Sequence, residues 1–441
     1  MKIPKYVDLI INRLESAGYE AYIVGGAIRN TLLNKEPKDY DIATNAIPEE
    51  IEEIFNDFRT IVAGKEFGTI VVSQKEGDVE ITTFRREGDY IDGRRPEWVS
   101  FSNNIIEDLS RRDFTINAMA YNVETGLVDP FDGKKDLEKA LIKTVGDPEK
   151  RFQEDYLRIL RSIRFSSELG FTIEENTFKA SKKYVYNIEK VSAERIREEF
   201  FRIILSEKPS SGIMNLEEMG ALNIILKELS DMVGFNQKNP HHKRDLYGHT
   251  LCVLDKVDPI LNLRLAALFH DIGKPHTQSI DKEGIAHYYN HHKIGAKMAE
   301  DILKRFKASN ELINKTTILI LEHMNHHNEF SHKGLKRLIR KVGEEEIFNL
   351  FSLQKADIKC SNPNASIDHI IEREKKVKDV LDNKEAIDIF QLDINGKDLI
   401  EIGFKEGKII GETLDYLLDR VMEEPALNQK EILRDLAKGY K

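Results

Sequence analysis

Reactive sulfur is nearly absent from this sequence: Cys252 and Cys360 are its only cysteines. They have no metal-type spacing and cannot make a disulfide framework, which fits a reducing cytosol. Long apolar runs are missing too. None approaches the ~20 residues needed to cross a bilayer, so no membrane span is expected. The opening MKIPKYVDLIINRLESAGYE is charged throughout and lacks an apolar core or small-residue cleavage site, so no secretory signal is expected. Positive charge is not in excess. With 66 Lys and Arg against 76 Asp and Glu, the formal net charge of -10 argues against a sequence-blind nucleic-acid coat protein. RNA binding stays open, because the basic residues can still gather on one face. Histidine is missing from the first 240 residues. All 13 histidines follow, twelve of them between His241 and His332, which points to different chemistry in the two halves.

What remains is a globular composition, 40% hydrophobic and 32% charged. The 441 residues suggest about three domains and an ample core. Residues 1–140 read as mixed α and β. An apolar period at Val7, Ile10, Ile11 and Leu14 predicts a first helix, AYIVGG a strand ending in glycines, and GTIVVS and VEITTF further strands. Pro48 suits the first turn of the helix PEEIEEIF. The charged, turn-rich stretch 85–104 reads as a mobile loop. Residues 141–240 read as a helical neck and body. One helix stops at Gly170, and SAERIREEFFRIILSE forms another with Ser192 as candidate N-cap. Residues 241–360 read as helical and histidine-rich, and 361–441 as a tail of polar helices.

Three constellations carry chemistry. In YIVGGAIRNTLLNKEPKDYDIAT, Gly25 and Gly26 stand between a strand and a helix and would let backbone N–H groups approach a phosphate. Arg29 would add a fork of donors. Asp39 and Asp41, at i and i+2 of a strand, would share one face and repel unless a cation sat between them, which suits Mg²⁺ with substrate phosphates. A two-metal site of this kind could activate an attacking hydroxyl and stabilise leaving pyrophosphate. Glu80 on VEITTF is a candidate third carboxylate, and equally an ordinary outward-facing strand residue. In RRDFTINAMA, Arg111 and Arg112 could contact a triphosphate with Asp113 orienting one of them. A helix over Glu154–Phe165 would carry Asp155, Arg158, Arg161 and Arg164 near one face, an acid-headed arginine stripe suggestive of a base reader.

Together GGAIRN with DYD, RRDFTINA, VDPFDG, EDYLRILRSIRF and SAERIREEF resemble the bacterial class II tRNA nucleotidyltransferases and their kin, the bacterial poly(A) polymerases. The resemblance spans about the first 200 residues. It implies an α+β protein: a small mixed-sheet head of the polymerase-beta type, followed by an all-helical neck, body and tail. It further implies Mg²⁺ on Asp39 and Asp41, nucleotide contacts from Gly26, Arg29 and Arg112, a base-edge pair of Asp155 and Arg158, and support from Arg161 and Arg164. Cytosine and adenine both present an exocyclic amine beside a ring-nitrogen acceptor, so an aspartate and an arginine can read both. Uracil and guanine would leave buried groups unpaired, at ~1–3 kcal/mol each. The implied reaction is template-free CCA addition to the tRNA 3′ end from CTP and ATP, with no DNA or membrane partner, in the cytoplasm. One departure is Asn30, where the family usually has Asp; Asn keeps an acceptor but no charge to pair with arginine.

The third constellation is His249, His270–Asp271, His291, His323 and Asp357, an order that resembles the metal-dependent phosphohydrolases named for their His-Asp pair. The resemblance implies a divalent metal (Mn, Ni or Mg), Asp271 able to bridge two ions, and phosphatase or phosphodiesterase side activity, with Lys274 near the phosphate. His241, His242, His292, His326 and His327 are candidate bystanders. Three alternatives remain: a partial enzyme adding only CC or only A, a poly(A) polymerase, and a phosphohydrolase whose head senses nucleotide or RNA. Retention of RREGDYIDGRRPEW speaks for CCA or A addition.

Overall fold

The computed structural model describes residues 2–64, 68–88, 90, 93, 97–237, 245–327 and 329–440. It divides into two compact units, Met1–Lys227 and Glu228–Lys441.

In the first unit, helix α1 (Lys5–Ser16) precedes strand β1 (Ala21–Val24), α2 (Gly26–Leu32), β2 (Asp41–Thr44) and α3 (Pro48–Ile54). Strands β3 (Arg59–Gly64), β4 (Thr69–Ser73) and β5 (Asp78–Thr83) follow. After them come the ribbon β6 (Arg85–Glu87) and β7 (Val99–Phe101), α4 (Ile105–Ser110), β8 (Ala120–Asn122) and β9 (Gly126–Val128). The main sheet has seven strands in the order β3-β4-β5-β2-β1-β8-β9. Only β2 and β5 pair in parallel, so the sheet is mixed. Its strands alternate between two cores. Ala21, Ile23, Ile42, Ile70, Val72, Val79 and Ile81 pack with α1 residues on one face. Tyr22, Val24, Ala43 and Ala120 pack with Phe84, Ile105 and Leu109 on the other. Alternation along the strands fixes this register, because a one-residue slip would send the side chains of each core to the opposite face.

The helices that continue this unit include α5 (Gly133–Glu138), α6 (Pro148–Glu154), α7 (Leu157–Leu169), α8 (Glu175–Tyr184), α9 (Ala193–Ile204) and α10 (Pro209–Met219). Pro48 occupies the first turn of α3, and Gly170 ends α7 in the left-handed conformation at φ 71°. Ser192 takes the N-cap position of α9, although its side chain makes no capping hydrogen bond.

Three expectations need correction. The stretch 85–104 is not all loop: Arg85↔Phe101 to Glu87↔Val99 form an antiparallel ribbon, while residues 89, 91–92 and 94–96 lie outside the described residues. The helix expected over Glu154–Phe165 is broken at Asp155, which is extended (φ -149°, ψ 106°). Its short carboxylate accepts the Leu157 N–H at 3.0 Å and competes with the helix for that donor. The cysteines, expected to stand apart, form a disulfide: 108 residues separate them in sequence, yet helix packing brings their Cα atoms to 5.9 Å. Linear spacing could not show this pairing, because it arises from tertiary contact.

Among the described residues, the regular structure of the second unit is helical apart from a short ribbon, Gln278–Ile280 with Ala286–Tyr288. Its C-terminal helices close a separate small core around Leu399, Leu417, Val421 and Leu433. Among the described residues no helix is long and apolar enough to cross a membrane.

Candidate active site and histidine centre

Asp41 opens β2 and stands opposite Glu80 of β5 in the parallel register. Asp41, Glu80, Thr82 and Val24 line one wall of a 570 Å³ cavity. Desolvation raises the Asp41 carboxyl above its ordinary pKa; Arg112 opposes the shift and the Asp39 charge adds to it. Glu80 remains open to solvent on its outer side, and partial desolvation at the cavity raises it, followed by the Asp41 charge. Two carboxylates held where both resist ionisation fit a bound cation, which would relieve the desolvation and the repulsion together. Asp39 lies exposed in the bend before β2 rather than on the strand, because β2 begins only at Asp41. Asp39 is therefore off the strand, but its charge still reaches the Asp41 carboxylate. Gly25 turns the chain at φ 69°, ψ -129°, and a Cβ there would meet Arg112 Nη1 at 3.2 Å and Asp41 Oδ2 at 3.9 Å. Glycine at this point lets the carboxylate and the guanidinium share the cavity floor.

The rest of the lining is dominated by arginine. Nine arginines and four acidic residues line the cavity, a balance suited to a triphosphate. Most of the arginines are held by specific partners. Arg29 donates to Asn117 Oδ1 at 2.5 Å and, through Nε and Nη2, to Asn30 Oδ1 at 3.3 and 3.1 Å. Asn30 thus keeps the anchoring contact without the charge, and burial holds the Arg29 pKa below its ordinary value. Arg111 and Arg112 are held by Asp108 of α4 at 2.6 and 3.2 Å. Asp113 was expected to orient one of them. Instead it accepts from Arg161 Nε at 2.8 Å and from Asn117 Nδ2 at 3.1 Å, because Asp108, three and four residues upstream on a helix, already faces the other two. Burial alone would raise the Asp113 pKa; Arg161 and Asn117 overcome it and hold it at about 2. Arg164 is buried on Glu199 at 2.7 Å, and burial lowers its pKa to about 10, so it stays charged near neutrality.

The Asp155–Arg158 pair is present and preorganised. Both side chains line the cavity with Arg161 and Arg164. Arg158 donates to Glu154 Oε2 at 2.6 Å, to the Arg151 carbonyl at 3.1 Å and to the Arg111 carbonyl at 3.0 Å. Three of its five N–H donors are thereby used. Asp155 is gripped by Arg195 of α9, at 2.7 Å to Oδ2 and 3.3 Å to Oδ1. Arg195, Glu199 and Asp108 were not singled out in the sequence. The signal was available: Arg195, Glu199 and Arg202 recur at helical spacing in SAERIREEFFR, on a helix packed against α7.

In the second unit, the six expected residues come together. His249 lies on the helix Leu246–Lys256, and His270–Asp271 follow the apolar helix Leu261–Phe269. His291 opens His291–Arg305, His323 follows Asn310–Glu322, and Asp357 lies on Glu346–Ser361. His249 Nε2 is 3.0 Å from Asp357 Oδ1. Asp271 offers Oδ2 to His270 Nε2 at 3.2 Å and Oδ1 to His291 Nε2 at 3.4 Å. His270, His291 and His323 each turn Nδ1 to a backbone carbonyl three residues back, at 2.8, 2.7 and 2.7 Å. A carbonyl only accepts, so Nδ1 carries the proton and each Nε2 lone pair faces the cluster. His291 Nε2 and His323 Nε2 stand 3.4 Å apart, two lone pairs that favour a cation between them. Burial pushes the His323 pKa down to about 3, which keeps the ring in its ligand form. Gly273 is required for the approach: a Cβ there would lie 2.3 Å from the His291 carbonyl oxygen. Lys274 Nζ sits 2.7 Å from Asp271 Oδ2.

Among the described residues, the groups of His, Cys, Asp or Glu with ligand atoms within 4.8 Å of one another are His249–His270–Asp271 and Asp271–His291–His323, so Asp271 is common to both. His292 and His326 belong to neither. His241 and His242, with the side chain of His327, lie outside the described residues.

A mixed sheet carrying paired acids beside an arginine-lined cavity defines a nucleotidyltransferase head. Residues 21–143 match the "Poly A polymerase head domain" family. Residues 170–232 match the "Probable RNA and SrmB- binding site of polymerase A", and residues 278–437 match the tRNA nucleotidyltransferase domain 2 family. The chain is 33% identical over 434 residues to the CCA-adding enzyme of Ligilactobacillus salivarius, covering 97% of this chain and 95% of that one. It is 34% identical over 424 residues to the CCA-adding enzyme of Pediococcus pentosaceus, covering 95% and 94%. The crystal structure of the Bacillus stearothermophilus CCA-adding enzyme in complex with CTP is similar at a TM-score of 0.73 and 26% identity, covering 100% of this chain and 98% of that one. The chain belongs to the CCA-adding enzyme family of tRNA nucleotidyltransferases.

Proposed function

We propose that this chain adds C, C and A to the tRNA 3′ end from CTP and ATP, without a nucleic-acid template, releasing pyrophosphate in the cytoplasm. The observation that supports it most is one cavity lined both by Asp41 and Glu80 and by Asp155, Arg158, Arg161 and Arg164. A nucleotide fits with its triphosphate toward the acids and its base toward α7. Mg²⁺, held by Asp41 with Glu80 and Asp39 beside it, would supply charge neutralisation of the phosphates and activation of the tRNA hydroxyl. Gly25 and Gly26 give the triphosphate room, and Arg29 and Arg112 supply donors to its oxygens. Asp155 accepts from the exocyclic amine of C or A, and Arg158 donates to the adjacent ring nitrogen. Glu154 and Arg195 hold these two readers so that little ordering is left to the moment of binding. In this reading residues 1–140 form the catalytic head, 141–240 the neck and body that bind base and RNA, 241–360 the histidine domain and 361–441 the tail. The test is a primer-extension assay with tRNA lacking its terminal CCA. Addition of two residues with CTP alone and of a third with ATP is the expected result. One-step products only, or poly(A) from ATP alone, would replace the reading with a partial enzyme or a poly(A) polymerase.

A second activity has its own support in the converging Nε2 atoms of the histidine centre. It is phosphohydrolysis of a small phosphoester or a tRNA end by a divalent metal held on His249, His270, Asp271, His291, His323 and Asp357. Screening cyclic and monoester phosphates with Mg²⁺, Mn²⁺ and Ni²⁺ tests it, and no turnover with any of them would remove it.

A further inference from the structure

The two cysteines stand in a particular relation to the histidine centre. Cys252 lies three residues after His249 on one helix, and Cys360 three residues after Asp357 on another. Three residues are about 4.5 Å of helix rise and return to nearly the same face. The disulfide and the His249–Asp357 contact are therefore parallel rungs between the same two helices, one turn apart. The upper rung is covalent, with Cα atoms 5.9 Å apart. The lower rung is the 3.0 Å approach of His249 Nε2 to Asp357 Oδ1. His270, Asp271, His291 and His323 come from other segments that the disulfide does not join.

We propose that Cys252 and Cys360 are a thiol modification site whose oxidation state sets how tightly the His249–Asp357 side of the histidine centre holds a divalent transition metal. The proposal rests on the metal-binding reading of that centre. With the disulfide closed, the helices cannot slide or spread at the level of the ligands, and the metal meets a preformed pair. With it open, binding must also restrict that motion. Reduction by a dithiol breaks the Sγ–Sγ bond, moves two electrons from the reductant to the protein sulfurs, places one proton on each, and leaves the reductant as its own disulfide. Cys252 is only half-buried, so a small dithiol can reach the pair, whereas Cys360 is shielded. The paired sulfurs do not ligate the metal; they position the residues that do.

The experiment is calorimetric titration of the full chain with Ni²⁺ and with Mn²⁺, in oxidised form and after dithiol treatment with the reductant removed under inert gas. Intact mass verifies each thiol state. Metal affinity should be about tenfold higher in the oxidised form, the size of effect seen when ligand-orienting partners are lost. Cys252→Ser with Cys360→Ser should bind like the reduced form and ignore dithiol. The reduced parent keeps the comparison available if that variant folds poorly. Equal affinity in both thiol states overturns the coupling and leaves the metal reading standing. No binding in either state overturns both. Failure of the pair to close under a mild oxidant, read as no two-proton mass loss, overturns the proposal alone.

Discussion

Asp113 ties together two sides of the arginine cluster, and its removal has a calculable cost. Its carboxylate accepts from Arg161, Asn117 and the Phe114 N–H, and Asn117 in turn accepts from Arg29. Asp113→Asn therefore loosens two cavity arginines at once. A carboxyl held at about 2 rather than the ordinary 3.8 contributes roughly 2 kcal/mol to folding at neutral pH, at about 1.4 kcal/mol per tenfold step. Because the native value is the lower one, this stability is fully present above the unfolded value and is lost as the pH falls toward about 2. The variant should lose roughly 2 kcal/mol at pH 7, and up to about 5 if Arg161 finds no new partner, since Glu199 stands at 3.7 Å. By pH 3 the gap between parent and variant should shrink by about half. Urea denaturation is the assay. Trp98, the single tryptophan, lies in the same compact unit as Asp113, so its fluorescence follows the unit concerned. A variant within about 0.5 kcal/mol of the parent at pH 7, or a gap that does not narrow in acid, would refute the account of Asp113 as a charge held by Arg161.

Asp41→Ala should abolish addition of both nucleotides while tRNA binding, measured by filter retention, stays within a few-fold, since the acid serves the triphosphate and the metal. Arg195→Ala should raise misincorporation from UTP relative to CTP, and Arg195→Lys should restore discrimination partly, because one ammonium cannot reproduce the two-point grip on Asp155; unchanged discrimination in Arg195→Ala would assign Arg195 to folding alone. His270→Ala with Asp271→Ala should abolish Ni²⁺ or Mn²⁺ binding, read by calorimetry, and leave CCA addition within a few-fold of the parent, because the two sites use separate ligand sets.

How far the site could be read from the sequence follows from which contacts are local. The glycine turn, Asp41 at the head of its strand and the arginine stripe of α7 were legible because each is a short segment whose local pattern dictates which side chains share a face. The order of the six histidine-centre residues was legible for another reason: every one lies on or next to a helix, and the order resembles a known metal site. What stayed hidden is everything decided by a second segment. Asp113 was assigned to Arg111 or Arg112 by adjacency, yet tertiary packing gives it to Arg161, while those two turn to Asp108 at local helical spacing. The break at Asp155 was hidden because an acidic residue inside an arginine-rich amphipathic run carries no strong stop signal, and the Arg195 grip from α9 adds to the Leu157 N–H contact that holds the extended conformation. That same grip is what turns a half-buried aspartate into a directed acceptor. A base reader needs its carboxylate fixed within a fraction of an ångström before the nucleotide arrives, because an acceptor free to rotate would also accommodate the wrong edge. On the proposed base-reading role of Asp155 and Arg158, selectivity would therefore reside as much in α9 as in those two residues.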